Sequence, residues 1–315
     1  MINRRLIARL ISAVESQSLF SSIVASLLSW RRFATSPGLR KRLGWRANSH
    51  NSEPIKMHPL VNIALRAAND AGDALAHKID RLDRIKVLDS DPQSFMTSAD
   101  HDGDKTLLYH IQKAHPTHSI LSRVSGLHEG EEGSPLWLID PLVGNKNFAH
   151  GYTRFGVSIA IRKGDVTEHA VLVSPMQREE FTASRGKGAQ LNNHRIRVDA
   201  KADIDQALLG LNEQALDPAQ FSAFQMALIE AGANPRMSGC NALDLADAAC
   251  GRLLGGWFRK QNEPSIAAAA MILLESGGYI GSENGNPHLG AESELIFGNA
   301  KTFKELVQLR MRAAG

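Results

Sequence analysis

The middle of the chain is a series of short apolar runs separated by turn residues, and this pattern restricts the possible folds more than any other feature. Val157, Ile159 and Ile161 alternate along one run, and a Lys-Gly-Asp turn at 163–165 follows them, which predicts a β-hairpin. The Arg-Gly-Lys-Gly segment at 185–188 lacks the spacing of phosphate-binding loops and predicts another hairpin turn. We therefore expect an antiparallel sheet with strands near 119–121, 136–139, 155–161, 169–173 and 181–183.

Helical spacing precedes and follows this region. Apolar residues recur every three or four positions from Leu60 to Ile79, which predicts an amphipathic helix of about twenty residues. A second helix is predicted at 105–114. Beyond residue 200 we predict helices at 218–231, 241–250 and 265–276, and strands near 207–211, 253–258 and 294–297. The pattern indicates an N-terminal α+β half at 57–200 and a smaller C-terminal α/β half at 201–315.

The first 56 residues differ from the rest in charge. They carry ten basic and two acidic side chains, a net +8, so the rest carries −5 of the total of +3. The pI of 8.9 therefore does not indicate a nucleic-acid-binding fold, and no direct nucleic-acid motif is present. The apolar stretch at 19–30 is too short to span a bilayer. Residues 1–56 are interpreted as a basic extension, either a leader resembling a transit peptide or an over-extended start preceding Met57.

The two cysteines, Cys240 and Cys250, do not have the spacing of a metal site and are too few for a disulfide framework. They are typical of buried residues in a reduced compartment, so we expect a cytoplasmic protein with no membrane segment. The 43% hydrophobic content is sufficient for a substantial core.

Six segments, in order, resemble one enzyme family. They are MHPLVNIALRAA at 57–68, FMTSAD at 95–100, WLIDPL at 137–142, EFTASRGKGAQLN at 180–192, ALDLA at 242–246 and ESGG at 275–278. Together they are similar to the inositol monophosphatase family, and most to its bacterial SuhB-type members, over nearly all of residues 57–315. The resemblance implies an α+β/α/β fold, a layered αβαβα sandwich, and a homodimer.

The resemblance also implies magnesium-dependent hydrolysis of a phosphate monoester. A hard cation of this kind requires oxygen ligands. Its roles are to polarise the phosphate and to generate hydroxide from water. The family takes its ligands from three motifs, so each motif can be compared with this chain.

The first two motifs are altered. Where the family has Glu-Glu-Ser-Gly, this chain has Arg-Val-Ser-Gly at 123–126, so that a metal-binding carboxylate is replaced by Arg123, whose side chain only donates hydrogen bonds. The second motif is Asp-Pro-Ile/Leu-Asp-Gly-Thr-Thr-Asn-Phe in the family and DPLVGNKNF at 140–148 here. Asp140 and the Leu142 carbonyl remain as remnants of the metal site. Val143 replaces the bridging aspartate, and Asn145 replaces the hydroxyl that orients the attacking water.

The third motif, a Trp-Asp pair that begins a helix, is also altered. Ungapped counting back from the ESGG segment places Pro264 and Ser265 there. The glutamate that contacts an inositol hydroxyl corresponds to Phe258, which Arg259 and Lys260 follow. Four acidic positions are therefore lost, at Arg123, Val143, Phe258 and Ser265, whereas Asp100 and Asp140 survive.

These losses predict that no catalytic set is intact and that no metal cofactor is bound. We expect Arg123 to form an ion pair with Asp140 in the metal position, because opposite charges 4 Å apart attract by roughly 4 kcal/mol at an effective dielectric constant of about 20. Asp140 is also suited to cap the turn that follows it. Asp100 is similarly suited to cap a helix through Asp104 and Leu107.

Three interpretations of function follow. The first is a pseudophosphatase with a protein-interaction role, because SuhB-type proteins act in ribosomal RNA transcription antitermination with Nus factors and RNA polymerase. Those proteins carry an arginine pair where this chain has Arg236 and Met237. The second is a magnesium-dependent inositol-1-phosphate phosphatase with weak or altered activity. The third is an anion-binding protein that uses Gly144, Asn145 and Lys146, or a redundant paralogue.

Overall fold

A computed structural model describes residues 57–91, 94–201, 203–211, 218–259, 262–282, 285 and 294–313, with the side chain of Arg259 left out. The basic segment at 1–56 lies outside the described residues, so its interpretations stay predictions, as does the division into halves at residue 200.

Two helices begin the described region. Helix α1, Pro59–Lys78, buries the apolar face that the sequence predicts. A 3₁₀ segment, Ile79–Arg84, leads into the short antiparallel pair β1, Val87–Asp89, and β2, Met96–Thr97. Helix α2, Ser98–Ala114, begins earlier than the predicted residue 105, because Thr97 and Asp100 form a capping box at its N-terminus.

The apolar runs form an eight-stranded sheet. The strands are β3, Ser119–Ser122; β4, Gly126–His128; β5, Leu136–Val143; β6, Gly156–Lys163; β7, Val166–Ser174; β8, Glu179–Ser184; β9, Gly188–Leu191; and β10, His194–Ile196. Their order in the sheet is β10-β9-β8-β7-β6-β5-β3-β4, and every neighbouring pair is antiparallel except β3 with β5. The short helix α3, Asn145–Ala149, follows β5.

Strands and helices alternate in the C-terminal part of the described chain. The elements in chain order are β11, Leu208–Leu211; α4, Pro218–Glu230; β12, Asn234–Arg236; α5, Asn241–Ala249; β13, Gly255–Arg259; α6, Glu263–Glu275; β14, Tyr279–Gly281; β15, Glu294–Gly298; and α7, Ala300–Ala313. The five strands form a second sheet in the order β12-β11-β13-β15-β14. Strands β12, β11 and β13 are parallel, and β15 is antiparallel to both β13 and β14.

These elements stack in five layers. Helices α1 and α2 cover one face of the eight-stranded sheet, and α5 and α6 fill the space between its other face and the second sheet. Helices α4 and α7 cover the far side of the second sheet. Three apolar cores hold the layers together: one under α1 and α2, one around α5 and α6 that reaches both sheets, and one under α4 and α7. The predicted αβαβα sandwich is confirmed.

Helix α6 also holds the turn that the sequence predicts at 185–188. The Glu275 carboxylate accepts hydrogen bonds from the backbone N–H groups of Gly186 and Gly188, each at 2.9 Å. The segment is therefore a hairpin turn between β8 and β9 that is anchored to the helix between the sheets. None of the helices in the described part of the chain combines the length and the apolar character that a bilayer crossing requires.

Candidate functional site

Asp140 is the centre of the candidate site, and an irregularity in β5 positions it. The strand pairs regularly with β6 as far as Asp140 and Ser158, and the register then shifts before Val143. Asp140 is only 1% exposed. Its Oδ1 atom accepts a 3.0 Å hydrogen bond from the Leu142 backbone N–H, so the predicted capping of this turn is confirmed.

Arg123 occupies the position facing Asp140. It follows β3 directly, and its backbone N–H donates to the Ile139 carbonyl at 3.0 Å. Its Nε donates to Oδ1 of Asp140 at 2.8 Å, and its guanidinium also donates to Oδ1 of Asp100. Burial opposes the charged form, but the two carboxylates outweigh it and hold the pKa of Arg123 above its usual value. The predicted ion pair is present, and it has a second carboxylate partner.

Asp100 closes the other side of the guanidinium. It lies in the first turn of α2 and is fully buried. Its Oδ2 atom accepts two 2.7 Å hydrogen bonds, from the backbone N–H and the hydroxyl of Thr97. Asp100 thus takes part in capping its helix, but from the third helical position, with Thr97 as the N-cap residue, and it pairs with Arg123 through its other oxygen.

Ser265 completes this group of residues. It lies in the first turn of α6, and its hydroxyl donates to Oδ2 of Asp140 at 2.6 Å. The segment predicted to correspond to the third family motif therefore lies beside the segments predicted for the first two, and it contributes a hydroxyl and not a carboxylate. We call Asp100, Arg123, Asp140 and Ser265 the Arg123 cluster.

The remaining candidate residues lie around this cluster. Leu142 and Val143 are buried, and Val143 belongs to the core between the sheets. Phe258 is 1% exposed, with its ring centroid 5.4 Å from that of Phe297. Val143 and Phe258 are therefore core residues in this chain. Lys260 and the side chain of Arg259 lie outside the described part.

The segment predicted for anion binding, residues 144–146, forms the start of α3. Gly144 has φ 78°, and a Cβ atom there would lie 2.7 Å from the Arg154 carbonyl oxygen. The Asn145 side chain donates to the Phe95 carbonyl and accepts from the Lys146 backbone N–H at 2.9 Å. Both polar ends of Asn145, and the Lys146 amide, are thus engaged within the protein.

The side chains present do not fit a magnesium ion. Each carboxylate oxygen of Asp100 and Asp140 already accepts a hydrogen bond from the protein, and a permanently charged guanidinium lies between the two groups. The neighbouring Asp104 carboxylate accepts from the Ser122 hydroxyl. Within the described residues, no three His, Cys, Asp or Glu side chains are arranged to share a metal ion. Magnesium requires several unengaged oxygen ligands in near-octahedral geometry.

Comparison with known proteins agrees with the fold. A sequence model of the inositol monophosphatase family matches residues 56–313. The chain belongs to this family. Within the inositol monophosphatase family, the chain is similar to the Nus factor SuhB of Pseudomonas aeruginosa, at 38% identity over 80% of this chain and 95% of that protein. It is 34% identical to the Nus factor SuhB of Escherichia coli, again over 80% and 95% of the two chains.

Solved structures of family members agree. The extragenic suppressor protein SuhB of Bartonella henselae matches with a TM-score of 0.77 and 27% identity, over 80% of this chain and 98% of that chain. The inositol monophosphatase of Anabaena matches with a TM-score of 0.68 and 29% identity, over 80% and 95% of the two chains.

One further charged group of this family member was not predicted from sequence. Arg154 pairs with Asp244 at 2.9 Å and with Asp247 at 2.6 Å. Arg252 also contacts Asp247, at 3.0 Å, and reaches Glu179 on β8. Arg154 and Asp244 are 90 positions apart, so no local spacing could reveal this network.

Proposed function

We propose that this protein is a SuhB-type factor that acts through contacts with the transcription machinery and does not hydrolyse inositol phosphates. The proposal includes a cytoplasmic location and a homodimeric state. The absence of hydrolysis is proposed on one observation. The Arg123 guanidinium lies between Asp100 and Asp140, where a phosphatase of this family would need anionic oxygens free to bind magnesium.

The chemistry of hydrolysis supports the proposal. The family reaction depends on a metal ion that activates water and stabilises charge on the phosphate. Val143 and Ser265 stand at two of the ligand positions, and Asn145 stands where a hydroxyl would orient the water. One N–H of the Asn145 amide donates to the Phe95 carbonyl and its oxygen accepts from the Lys146 backbone N–H, so contacts within the protein fix this side chain.

The relatives support the positive part. Two proteins that match over 95% of their own length are named Nus factor SuhB, at 38% and 34% identity. A role through protein contacts needs the fold and its surface, and it tolerates loss of the metal ligands. Residues 236–237 are exposed, and the resemblance implies that they correspond to the arginine pair of SuhB-type proteins, so this surface is to be tested first.

The catalytic part is tested by incubating the purified protein with inositol 1-phosphate and Mg²⁺ and measuring released phosphate. We expect no release above that of an Asp140→Asn variant. Turnover that is lost in Asp140→Asn would support the alternative, an altered phosphatase, and would contradict the proposal.

The interaction part is tested with purified RNA polymerase and purified Nus factors. We expect the full chain to co-migrate with that assembly in gel filtration and Arg236→Glu to weaken the association. Arg185→Glu is the matched control and is expected to bind normally, because Arg185 is exposed on a hairpin turn of the eight-stranded sheet, whereas Arg236 belongs to the other sheet. Absence of co-migration by the unmodified protein would contradict this part of the proposal.

A further inference from the structure

We propose that the Arg123 guanidinium is the resident cation of this fold, which takes the structural place of a divalent ion and excludes that ion. The inference rests on the part of the proposed function that denies this site magnesium, and it is independent of any transcription partner.

The connectivity of Arg123 is that of a bound cation. It contacts Asp100, 23 positions earlier, and Asp140, 17 positions later, and so ties the N-terminus of α2 and strand β5 to the end of β3. Asp140 extends the connection to α6 through its 2.6 Å bond from Ser265. One positive group therefore links four elements from three layers of the fold.

The electrostatics of the cluster require such a cation. Asp100 and Asp140 are 0% and 1% exposed, so water cannot screen their charges. An isolated buried carboxylate is costly, and two of them close together repel each other. Arg123 is 11% exposed at its side chain and remains charged at any physiological pH. It balances the two carboxylates without an ion from solution.

The neutral neighbours make the cluster unsuitable for a second cation. The carboxylate oxygens accept hydrogen bonds from four neutral donors: the backbone N–H and hydroxyl of Thr97, the Leu142 backbone N–H and the Ser265 hydroxyl. A divalent ion would have to displace these donors and approach a guanidinium. Arg123 and Ser265 therefore act as a set, and reversing either one alone would not rebuild the metal site.

Thermal unfolding of the full chain tests this inference. Neither Mg²⁺ nor EDTA is expected to shift the Tm of the unmodified protein. Arg123→Ala removes the cation and is expected to lower the Tm by roughly 10 °C. Millimolar guanidinium ion is expected to restore part of that loss by occupying the space left between the carboxylates.

Arg162→Ala is the matched control. Arg162 also forms one ion pair, with the half-exposed Glu263, but it lies outside the Arg123 cluster. Its Tm loss is expected to be small and insensitive to millimolar guanidinium ion.

The inference is overturned if Mg²⁺ raises the Tm of the unmodified protein, or if Arg123→Ala unfolds at the unchanged temperature. It is also overturned if guanidinium ion stabilises Arg123→Ala no more than Arg162→Ala. A protein that binds no transcription factor can still give the expected Tm results. Failure of the interaction proposal can therefore be told apart from failure of this inference.

A second comparison applies if Arg123→Ala does not fold. Arg123→Met combined with Asp100→Asn and Asp140→Asn removes all three charges together. The Asn oxygens can still accept from Thr97 and from the Leu142 backbone N–H, and the NH₂ group at position 140 can donate to the Ser265 hydroxyl oxygen. This triple variant is expected to unfold at a higher temperature than Arg123→Met alone. If it does not, the charge of Arg123 is not its role and the inference is overturned.

Discussion

The Ser265 hydroxyl donates a 2.6 Å hydrogen bond to Oδ2 of Asp140, although the two residues are 125 positions apart in the chain. The contact brings the first turn of α6 to the irregular end of β5. Counting back from the ESGG segment places Ser265 at the third motif, and the fold places that motif beside the second. The oxygen of Asp140 that the Arg123 guanidinium leaves free is therefore satisfied by a neutral donor.

Removing this donor should destabilise the fold. In Ser265→Ala, Oδ2 of Asp140 keeps its charge, is buried and loses its partner, which is expected to reduce the free energy of unfolding by about 1–3 kcal/mol. Urea unfolding measures the change. Ser222→Ala is the control, because the Ser222 hydroxyl is exposed on α4 and donates to the Pro218 carbonyl of the same helix. Equal losses in the two variants would contradict the structural importance of the Ser265 contact.

Much of the fold could be predicted because its elements have strong periodic signals. Apolar spacing located α1, and alternation located β6. The predicted start of α2 was wrong, because the polar residues between Ser98 and Asp104 show no apolar periodicity. The helix begins instead at a capping box that two residues specify, Thr97 and Asp100. Helix α7, Ala300–Ala313, was missed because only Leu306 and a few flanking apolar residues face the core.

The candidate site could be predicted only where a motif fixed its residues. The pairing of Arg123 with Asp140 followed from opposite charges in adjacent motifs. Its second pairing, with Asp100, could not be predicted, because it depends on where α2 begins relative to β3. The bond from Asn145 to the Phe95 carbonyl could not be predicted either, since a side chain that reaches a backbone atom 50 positions away leaves no sequence pattern.

Gly144 should be intolerant of a side chain for two reasons. Its φ of 78° is unfavourable for an L-residue, and an added Cβ would lie 2.7 Å from the Arg154 carbonyl oxygen. Gly186 has φ 70°, and within the described residues a Cβ added there would have no atom within 4 Å. Gly186→Ala therefore measures the cost of backbone strain without a steric clash. We expect Gly186→Ala to cost about 1 kcal/mol and Gly144→Ala roughly twice that or more, measured by urea unfolding. A smaller loss for Gly144→Ala would contradict the close packing seen here.

Asn145 should hold the β1–β2 pair against α3. Because its amide is the donor to the Phe95 carbonyl, Asn145→Ala is expected to release this pair while the sheets stay intact. Hydrogen–deuterium exchange should increase within residues 86–98 and remain unchanged in β6. Asn62→Ala, at an exposed position on α1, serves as the control. Unchanged exchange at 86–98 would show that the Asn145 contact does not hold this segment.

Stability should fall on mild acidification because of His118. Burial lowers the pKa of His118 below its usual 6.5, and the stacked His115 lowers it further. Its Nδ1 accepts a 2.9 Å bond from Trp137, which protonation would break. Because the pKa of His118 is lower in the folded protein than in the unfolded chain, the unfolded chain binds the proton more readily. The stability that neutral His118 contributes is therefore complete above about pH 6.5 and is lost as the pH falls below that value.

The variant His118→Asn tests this pH dependence, because it keeps an acceptor for Trp137 and removes the titration. Urea unfolding between about pH 7.5 and about pH 5.5 should show a shallower loss of stability in the variant than in the unmodified protein. Parallel pH profiles for the two proteins would exclude His118 as the source.

The Arg154 network should be a second buried charge cluster whose effect depends on pH. Arg154→Met leaves Asp244 and Asp247 without their shared cation, and losing one partner of a buried pair is expected to cost about 3–5 kcal/mol near neutral pH. Burial already raises the pKa of Asp244, and removing the cation raises it further. As the pH falls, Asp244 in the folded variant takes up a proton before its unfolded counterpart does, so the cost of Arg154→Met should shrink. Urea unfolding at neutral and at acidic pH measures how the cost of Arg154→Met changes with pH, and Arg162→Met is the control. A cost that is the same at every pH would mean that Arg154 acts by packing and not by balancing charge.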